Sequence, residues 1–543
     1  MTRPPQIPNR ETPTIVKAAA PQHLTKVSTL FNTSLTYHQK GQLTLAQQFY
    51  TQVLVLQPDH FNATHLSGVI ALQSKNPSLA LELIGKALVI NPNSADAYTH
   101  LGNALQELKL VEEALASYNK AIEINPDHSL AYSNRGNALK QLKRMEEALV
   151  SYDAAIAIKP DHADSYSNRG TVLRELKRIE EAVASYDKAI EINPEHPQAH
   201  YNRGKALKEL IRIEEALASY DKAIQIKPDL ADAYWNKSLT LLLAGELIQG
   251  WKLYEWGWKN NHRGIYRDFF QPLWLGLVDI SGKTILLHSE QGLGDTIQFC
   301  RYVKLVKELG AKVLLEVPKP LMSLLHGLEG VDQLIECGKP LPDFEYHCPL
   351  MSLPLAFKTE LVSIPNPTPY LVASPQKCNE WAQRLGAKTK PLVGLVWSGS
   401  PEHKNDHNRS LTLQLLSPCL SNLFDYVSLQ KELREKDKQR LSVCDVKHYE
   451  DEIKDFSDTA AICELMDLVI TVDTSVAHLA GAIGKKTWVL LPYAPDWRWL
   501  LHKDYSPWYQ SIKIYRQPSP GDWDSVTQRV RQDLIEYSNN WKF

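Results

Sequence analysis

The chain has 543 residues, too many for one hydrophobic core, so two to four domains are expected. Hydrophobic residues make up 43% and charged residues 22%, values of a soluble globular protein, and a net charge of −2 gives no electrostatic case for nucleic acid or an anionic membrane surface. The seven cysteines, Cys300, Cys337, Cys348, Cys378, Cys419, Cys444 and Cys463, form no C-x-x-C pair, which argues against a disulfide framework or zinc ribbon and fits a reducing cytoplasm. Residues 1–25 read as a disordered tail without the apolar core of a signal peptide, and no apolar run is long enough for a transmembrane segment.

Prolines then recur at 58, 92, 126, 160, 194 and 228, always 34 residues apart. Gly68, Gly102, Gly136, Gly170 and Gly204 keep the same beat, as do Ala80, Ala114, Ala148, Ala182 and Ala216 and the tyrosines 118, 152, 186 and 220. This period and pattern resemble the tetratricopeptide repeat, a helix-turn-helix unit that stacks into an α-solenoid. Small residues let paired helices approach, and each proline ends a second helix. The repeats are expected over 26–264. In the seventh, Ser238 replaces the glycine and Gly250 the alanine, and Trp251, Trp256 and Trp258 follow, as in a terminal repeat that docks on something else. Asn134, Asn168, Asn202 and Asn236 form a 34-residue ladder on the expected concave surface. Aligned amides there suit the backbone of an extended peptide; the alternative is that asparagine simply favours the inter-helix turn.

All thirteen tryptophans lie at or after Trp235. From Lys283 strands and helices alternate: strand Thr284–His288, an amphipathic helix from Thr296 to Leu309, strand Lys312–Val317. After a proline-rich stretch at Ser363–Pro369 a second series follows, with strands at Pro391–Trp397, Tyr426–Leu429, Leu468–Val472 and Thr487–Leu491. This predicts two doubly wound α/β halves, 270–385 and 390–543, with a last helix, Trp523 to Tyr537, that could cross back to the first sheet.

Each half has a strand running straight into a helix, where unpaired amides and the helix dipole favour an anion. In the first half the junction is Ser289-Glu-Gln-Gly-Leu-Gly-Asp-Thr296. It lacks the third glycine of a dinucleotide fingerprint, and Asp295 reads either as a helix cap or as a general base at the cleft mouth. In the second half the junction is Asp473-Thr-Ser-Val-Ala-His478. Arg409 and Lys404 suit a diphosphate, and Gln430 and Lys431 end a strand at the same sheet edge. His403 and His407 have metal-ligand spacing, but proline and asparagine predict a loop and no third ligand is evident, so no metal is expected. Trp497-Arg-Trp499 and Pro507-Trp-Tyr509 read as core and interdomain packing.

Gly292-Leu-Gly-Asp295 together with Asp473-Thr-Ser-Val-Ala-His-Leu-Ala-Gly-Ala-Ile-Gly484 resembles the family 9 glycosyltransferases, whose best-known members are bacterial heptosyltransferases. The resemblance spans roughly 270 to 543. It implies a GT-B-like pair of Rossmann-like domains, a nucleotide-sugar donor as substrate and no cofactor or metal. It further implies Asp295 as catalytic base, with Asp473, Thr474, Ser475, Val476, Ala477, His478, Arg409, Gln430 and Lys431 binding the donor. Arg409 stands where the family usually has lysine, Ser475 where it has glycine, and Gln430 and Lys431 lie near a family acidic residue for the ribose. Fusion to repeats is similar to bacterial repeat-containing glycosyltransferases and, in layout, to protein O-GlcNAc transferases. The expected function is a metal-independent, inverting glycosyltransferase whose repeats recruit a protein acceptor or partner. The rival is a non-catalytic interaction scaffold with a degenerate transferase-like half.

Overall fold

The structure, a computed structural model, describes residues 20–264, 266–366 and 368–540. The expected tail therefore lies outside the described residues as far as residue 19, and Ala20 already opens a helix. Helices pair in order: α1 (Ala20–Gln39) with α2 (Leu43–Leu56), α3 (Phe61–Gln73) with α4 (Pro77–Ile90), α5 (Ala95–Glu107) with α6 (Val111–Ile124), α7 (Ser129–Gln141) with α8 (Met145–Ile158), and α9 (Ala163–Glu175) with α10 (Ile179–Ile192). The series continues through α11 (Pro197–Glu209), α12 (Ile213–Ile226), α13 (Ala231–Ala244) and α14 (Leu247–Tyr254). The glycine–tyrosine beat is a packing contact. A Cβ at Gly102 would stand 2.4 Å from the Tyr118 ring, and the contact recurs at Gly136 with Tyr152 and at Gly170 with Tyr186, both at 2.7 Å. In the seventh pair the close approach moves to the other helix. Gly250 lies under Leu242, and the Ser238 hydroxyl donates to the Gly250 carbonyl at 2.9 Å.

The chain divides into two compact units inside α11, between Asn202 and Arg203. In the second unit Ile213, Leu242, Leu243, Leu247, Trp251 and Tyr254 share one apolar cluster with the first of the sheets. Residue 264 thus marks the end of the repeat pattern, whereas the packing changes earlier.

That sheet has the order β3-β2-β1-β4, all parallel, from β1 (Thr284–His288), β2 (Lys312–Val317), β3 (Gln333–Glu336) and β4 (Tyr346–Pro349). Its helices are α15 (Leu293–Phe299), α16 (Val303–Glu308), α17 (Met322–Leu325) and α18 (Leu353–Ala356). The expected helix from 296 to 309 is thus two helices separated by a tight turn at Cys300–Tyr302.

The second sheet has the order β10-β9-β8-β5-β6-β7, also parallel, from β5 (Leu392–Val396), β6 (Asp425–Ser428), β7 (Val446–Lys447), β8 (Leu468–Val472), β9 (Thr487–Leu491) and β10 (Ile512–Arg516). Around it lie α19 (Pro375–Leu385), α20 (Asp406–Arg409), α21 (Leu413–Leu416), α22 (Glu435–Leu441), α23 (Phe456–Leu465), α24 (Ser475–Ala482) and α25 (Trp523–Asn540). Strand order reverses between β5 and β8, the place where open α/β sheets bind ligands. The first sheet reverses between β1 and β4.

Two expectations are corrected. α19 belongs with the second half, not the first: its Trp381 indole donates to Asp458 of α23 at 3.1 Å and Lys377 pairs with the same carboxylate at 2.7 Å. α25 does not cross back. Its apolar side, Trp523, Val526, Val530 and Leu534, packs with Leu468, Ile470 and Trp488 of the second sheet.

Replacing Gly102 by valine should destabilise the repeats by about 1–3 kcal/mol, because backbone and ring must part. Gly85 has nothing within 4 Å of an added Cβ, so Gly85→Ala should hold or raise stability. Urea unfolding of the two variants checks the contrast; equal losses would remove the packing explanation.

Candidate functional site

The two strand-to-helix junctions meet. α15 and α24 pack against one another, and Gly294 makes this possible: a Cβ there would lie 3.0 Å from the His478 ring and 3.3 Å from the Ser475 Cα. Asp295 is the third residue of α15, not its cap. Its Oδ2 accepts from the Gly292 amide at 2.8 Å, and its Oδ1 accepts from Arg498. Arg498 also donates to Asp496 Oδ1 at 2.7 Å and to Gln298 Oε1 at 3.0 Å, so one guanidinium ties both sheets together. Sequence reasoning treated the Trp497–Trp499 segment as packing. The rings are indeed buried, but Arg498 and Asp496 belong to the site, and no periodicity or motif marks them.

At the second junction Thr474 is the N-cap of α24 in an extended conformation, with its hydroxyl turned 3.2 Å from that of Thr471. The Ser475 and Val476 amides open the helix. Ala477 donates to the Thr474 carbonyl at 3.0 Å. Arg409 donates to the Asp473 carbonyl at 2.8 Å and lies over Gly399, where any Cβ would come within 2.5 Å of the guanidinium. Arg409 therefore spans the ends of β5 and β8, where the strand order reverses. Burial and nearby Asp496 raise the Asp473 carboxyl to about 6. Burial also raises Asp496, but Arg498 outweighs it and holds the group low. His403 faces the same cluster; burial and Arg409 lower it against the pull of Asp496, Asp406 and Asp295.

Other expected ligands are placed differently. Gln430 is buried and spent on structure. Its Oε1 accepts from the Trp397 and Ser398 amides at 2.8 and 3.1 Å, and its Nε2 donates to the Ser398 hydroxyl at 3.0 Å. Lys431 is exposed and donates to the Lys454 carbonyl at 3.4 Å. His478 is buried, stacked on Trp499, with Nδ1 3.1 Å from the Tyr509 hydroxyl, so it supports the α24 start from within. Val476 and Ala477 are buried.

The asparagine ladder also has structural work. Asn134 donates to Asn103 at 2.9 Å and Asn202 to the Thr171 hydroxyl at 3.4 Å, each reaching back to the preceding repeat. Asn236 donates to the Asp232 carbonyl of its own helix at 2.9 Å. Asn168 is half-buried like the others.

Models of the tetratricopeptide repeat match residues 27–60, 95–128, 117–150, 136–173, 170–210 and 212–245. The N-terminal part is thus a tetratricopeptide-repeat solenoid, followed by α/β domains. The chain is 24% identical over 328 residues to Protein FlbA of Caulobacter vibrioides, across 56% of this chain and 54% of that protein, so it spans about half the length of that relative. Among solved structures it is similar to Pseudomonas aeruginosa PilF, at 18% identity and a TM-score of 0.36 over 39% of this chain and 96% of that one. It is also similar to TTC0263, a tetratricopeptide-repeat protein of Thermus thermophilus, at 25% identity and 0.30 over 34% and 99%. Among the described residues no helix is long and apolar enough to cross a membrane.

His478 gives the site a pH signature. Burial, aided by Arg498, pushes its imidazole down to about 3 from an ordinary 6.5. A histidine held low contributes stability above pH 6.5 that is lost as pH falls from there towards 3. The urea midpoint should therefore fall between about pH 7 and pH 5, and His478→Gln should remove part of that fall. An identical fall in both proteins would count against a desolvated His478.

Proposed function

We propose that the α/β part is a metal-independent, inverting glycosyltransferase using a nucleotide-sugar donor, and that the repeats recruit a protein acceptor or partner. One observation supports the reading: α15, which bears Asp295, packs at Gly294 against α24, whose first residues lie beside Arg409. Asp295 would take the proton of an acceptor hydroxyl as its oxygen attacks the anomeric carbon. The bond from that carbon to the diphosphate breaks, and the leaving charge falls to the α24 N-terminus and Arg409. Arg498 fixes the orientation of the base. Tetratricopeptide repeats commonly present a concave surface to protein segments, which supports a protein partner. A cytoplasmic location fits seven cysteines that are all free thiols.

The scaffold alternative has one observation in its favour: the Asp295 carboxylate is already engaged by Arg498 and the Gly292 amide. Activity separates the two. With a panel of ADP-, GDP- and UDP-sugars, Asp295→Ala should leave donor binding near normal and lower turnover roughly 10²–10⁴-fold. Unchanged turnover would retire Asp295 as base, and no turnover with any donor in the native protein favours the scaffold. Arg409→Ala should weaken donor binding by about 1–3 kcal/mol in calorimetry. Unaltered affinity would displace the diphosphate from the end of β8.

A further inference from the structure

The first helices of the later repeats carry a cation on the 34-residue beat, Arg135, Arg169, Arg203 and Lys237. On the second helix of the preceding repeat, Asp153, Asp187 and Asp221 stand 16 residues before the last three. Arg169 Nε donates to Asp153 at 2.6 Å, and Lys237 pairs with Asp221. Before Arg135 the same place holds Asn119, which carries no charge. Arg135 spends its Nε on the Ser151 hydroxyl at 2.9 Å and lies 5.2 Å from the centre of the Tyr132 ring. Among the described residues its two terminal nitrogens meet no acceptor, and it makes no ion pair.

This seam is also where the solenoid opens. A surface cavity of about 210 Å³ lies between α6, α7 and α8, and its polar lining is Asn119, Arg135, Arg144 and Glu147. Glu147 is committed: Arg144 donates to it twice at 2.7 Å, a pair that recurs as Arg178 with Glu181 and Arg212 with Glu215. Two arginines against one glutamate leave the cavity net positive. Burial holds the Arg135 guanidinium below its ordinary value, against the pull of Tyr132 and Glu147. Leu115 and Val150 are apolar lining. Val150 breaks a second beat, since Ala116, Ala184 and Ala218 hold its position in the neighbouring repeats, and it is 63% exposed. Both departures from the repeat pattern therefore fall on one cavity. It is smaller than the roughly 300–1,000 Å³ of small-molecule pockets, and suits one or two side chains. It is separate from the asparagine ladder: Asn134 bonds to the first helix α5, whereas this cavity involves the second helices α6 and α8.

We propose that this seam docks an acidic segment of a protein partner, one carboxylate pairing with Arg135 while an adjacent apolar residue lies on Leu115 and Val150. The neighbouring seams show what the position takes. There an internal carboxylate meets the cation; here the partner supplies it. The free terminal nitrogens of a guanidinium can donate to both oxygens of a carboxylate, which gives the contact direction as well as charge. The inference rests on the reading that the repeats recruit a protein and is independent of the transferase chemistry.

The test is fluorescence anisotropy of the full-length protein with short, end-blocked peptides of glycine and serine that carry Glu-Leu steps, against counterparts carrying Gln-Leu. The glutamate peptides should bind the native chain about tenfold more tightly. Arg135→Gln should erase that preference. Asn119→Asp, which restores the internal acid of the other seams, should also erase it while the melting temperature holds or rises. Arg169→Gln, whose cation is already paired, should leave it intact. Equal binding of the two peptide sets to the native chain overturns the carboxylate contact and keeps the recruiting reading. A preference that survives both Arg135→Gln and Asn119→Asp overturns this site. No binding of either set overturns the inference together with a recruiting role for this face. Should Arg135→Gln fail to fold, Asn119→Asp, which adds a charge pair instead of removing a cation, decides alone.

Discussion

One guanidinium links the two strand-to-helix junctions. Arg498 is held by Asp295 from the first sheet's half, by Asp496 from its own, and by Gln298 of α15. Its side chain is 10% exposed, and a charge so placed is tolerated only when its donors are well matched. A guanidinium offers five N–H groups in a rigid plane, so several partners in different directions fix its place. The result is a polar link between the two halves, which are also joined by Arg301 donating to the Trp508 carbonyl at 2.8 Å. The two helix starts on either side of it, α15 and α24, are therefore fixed relative to each other at Gly294. On the proposed transferase reading such fixed orientation would matter, because groups that must first be oriented lose much of their effect.

The repeats obey a similar rule of close approach, and the exception at their end is informative. Through most of the array a glycine on the first helix admits a tyrosine from the second. In the last pair the glycine sits on the second helix, and Ser238 is bonded to it. This exchange frees Trp251 and Tyr254 for the apolar cluster of the first sheet, where Trp251 also meets Phe299 at 6.0 Å. Behind them Arg263 is fully buried between Glu255 at 2.6 Å and Glu290 at 2.7 Å, joining the end of the repeats to the loop after β1. The last repeats are thus core elements of the α/β part. Any displacement of α13 or α14 would act on the turn that carries Arg498.

Much of this was legible in the sequence because the signals are of the robust kind. A strict 34-residue beat gives the repeat helices, and continuous runs of Val, Ile and Leu give β1, β2, β5 and β8, which are buried on both faces. Short strands were missed. β7 has two residues, and β4 reads Tyr-His-Cys-Pro, which carries no strand pattern. The position of α25 was misjudged because periodicity shows that a helix has an apolar side but not which sheet covers it. At the site, Asp295 and the Asp473–His478 segment were legible because a strand-to-helix junction is a physical signal. Gln430 has a structural role that its sequence position does not reveal. It lies at the right sheet edge, but the amides of Trp397 and Ser398 at the end of β5 need a buried acceptor, and Gln430 is that acceptor. Arg498 and Asp496 carried no signal, since a charge pair between tryptophans becomes recognisable only when the fold places Asp295 beside it.

The charges around the two junctions also fit together as a system. Two of its carboxylates, Asp295 and Asp496, are matched by Arg498, while Asp473 is left to burial and the repulsion of Asp496, which raise it towards neutrality. Raised to about 6, the Asp473 carboxyl next to the α24 N-terminus loses its charge only as pH falls below neutrality. An anionic ligand arriving there would push Asp473 further towards its protonated form, because a like charge disfavours ionisation. Of the three carboxyls, Asp473 is therefore the one whose charge is least compensated, since Arg498 is committed to Asp295 and Asp496.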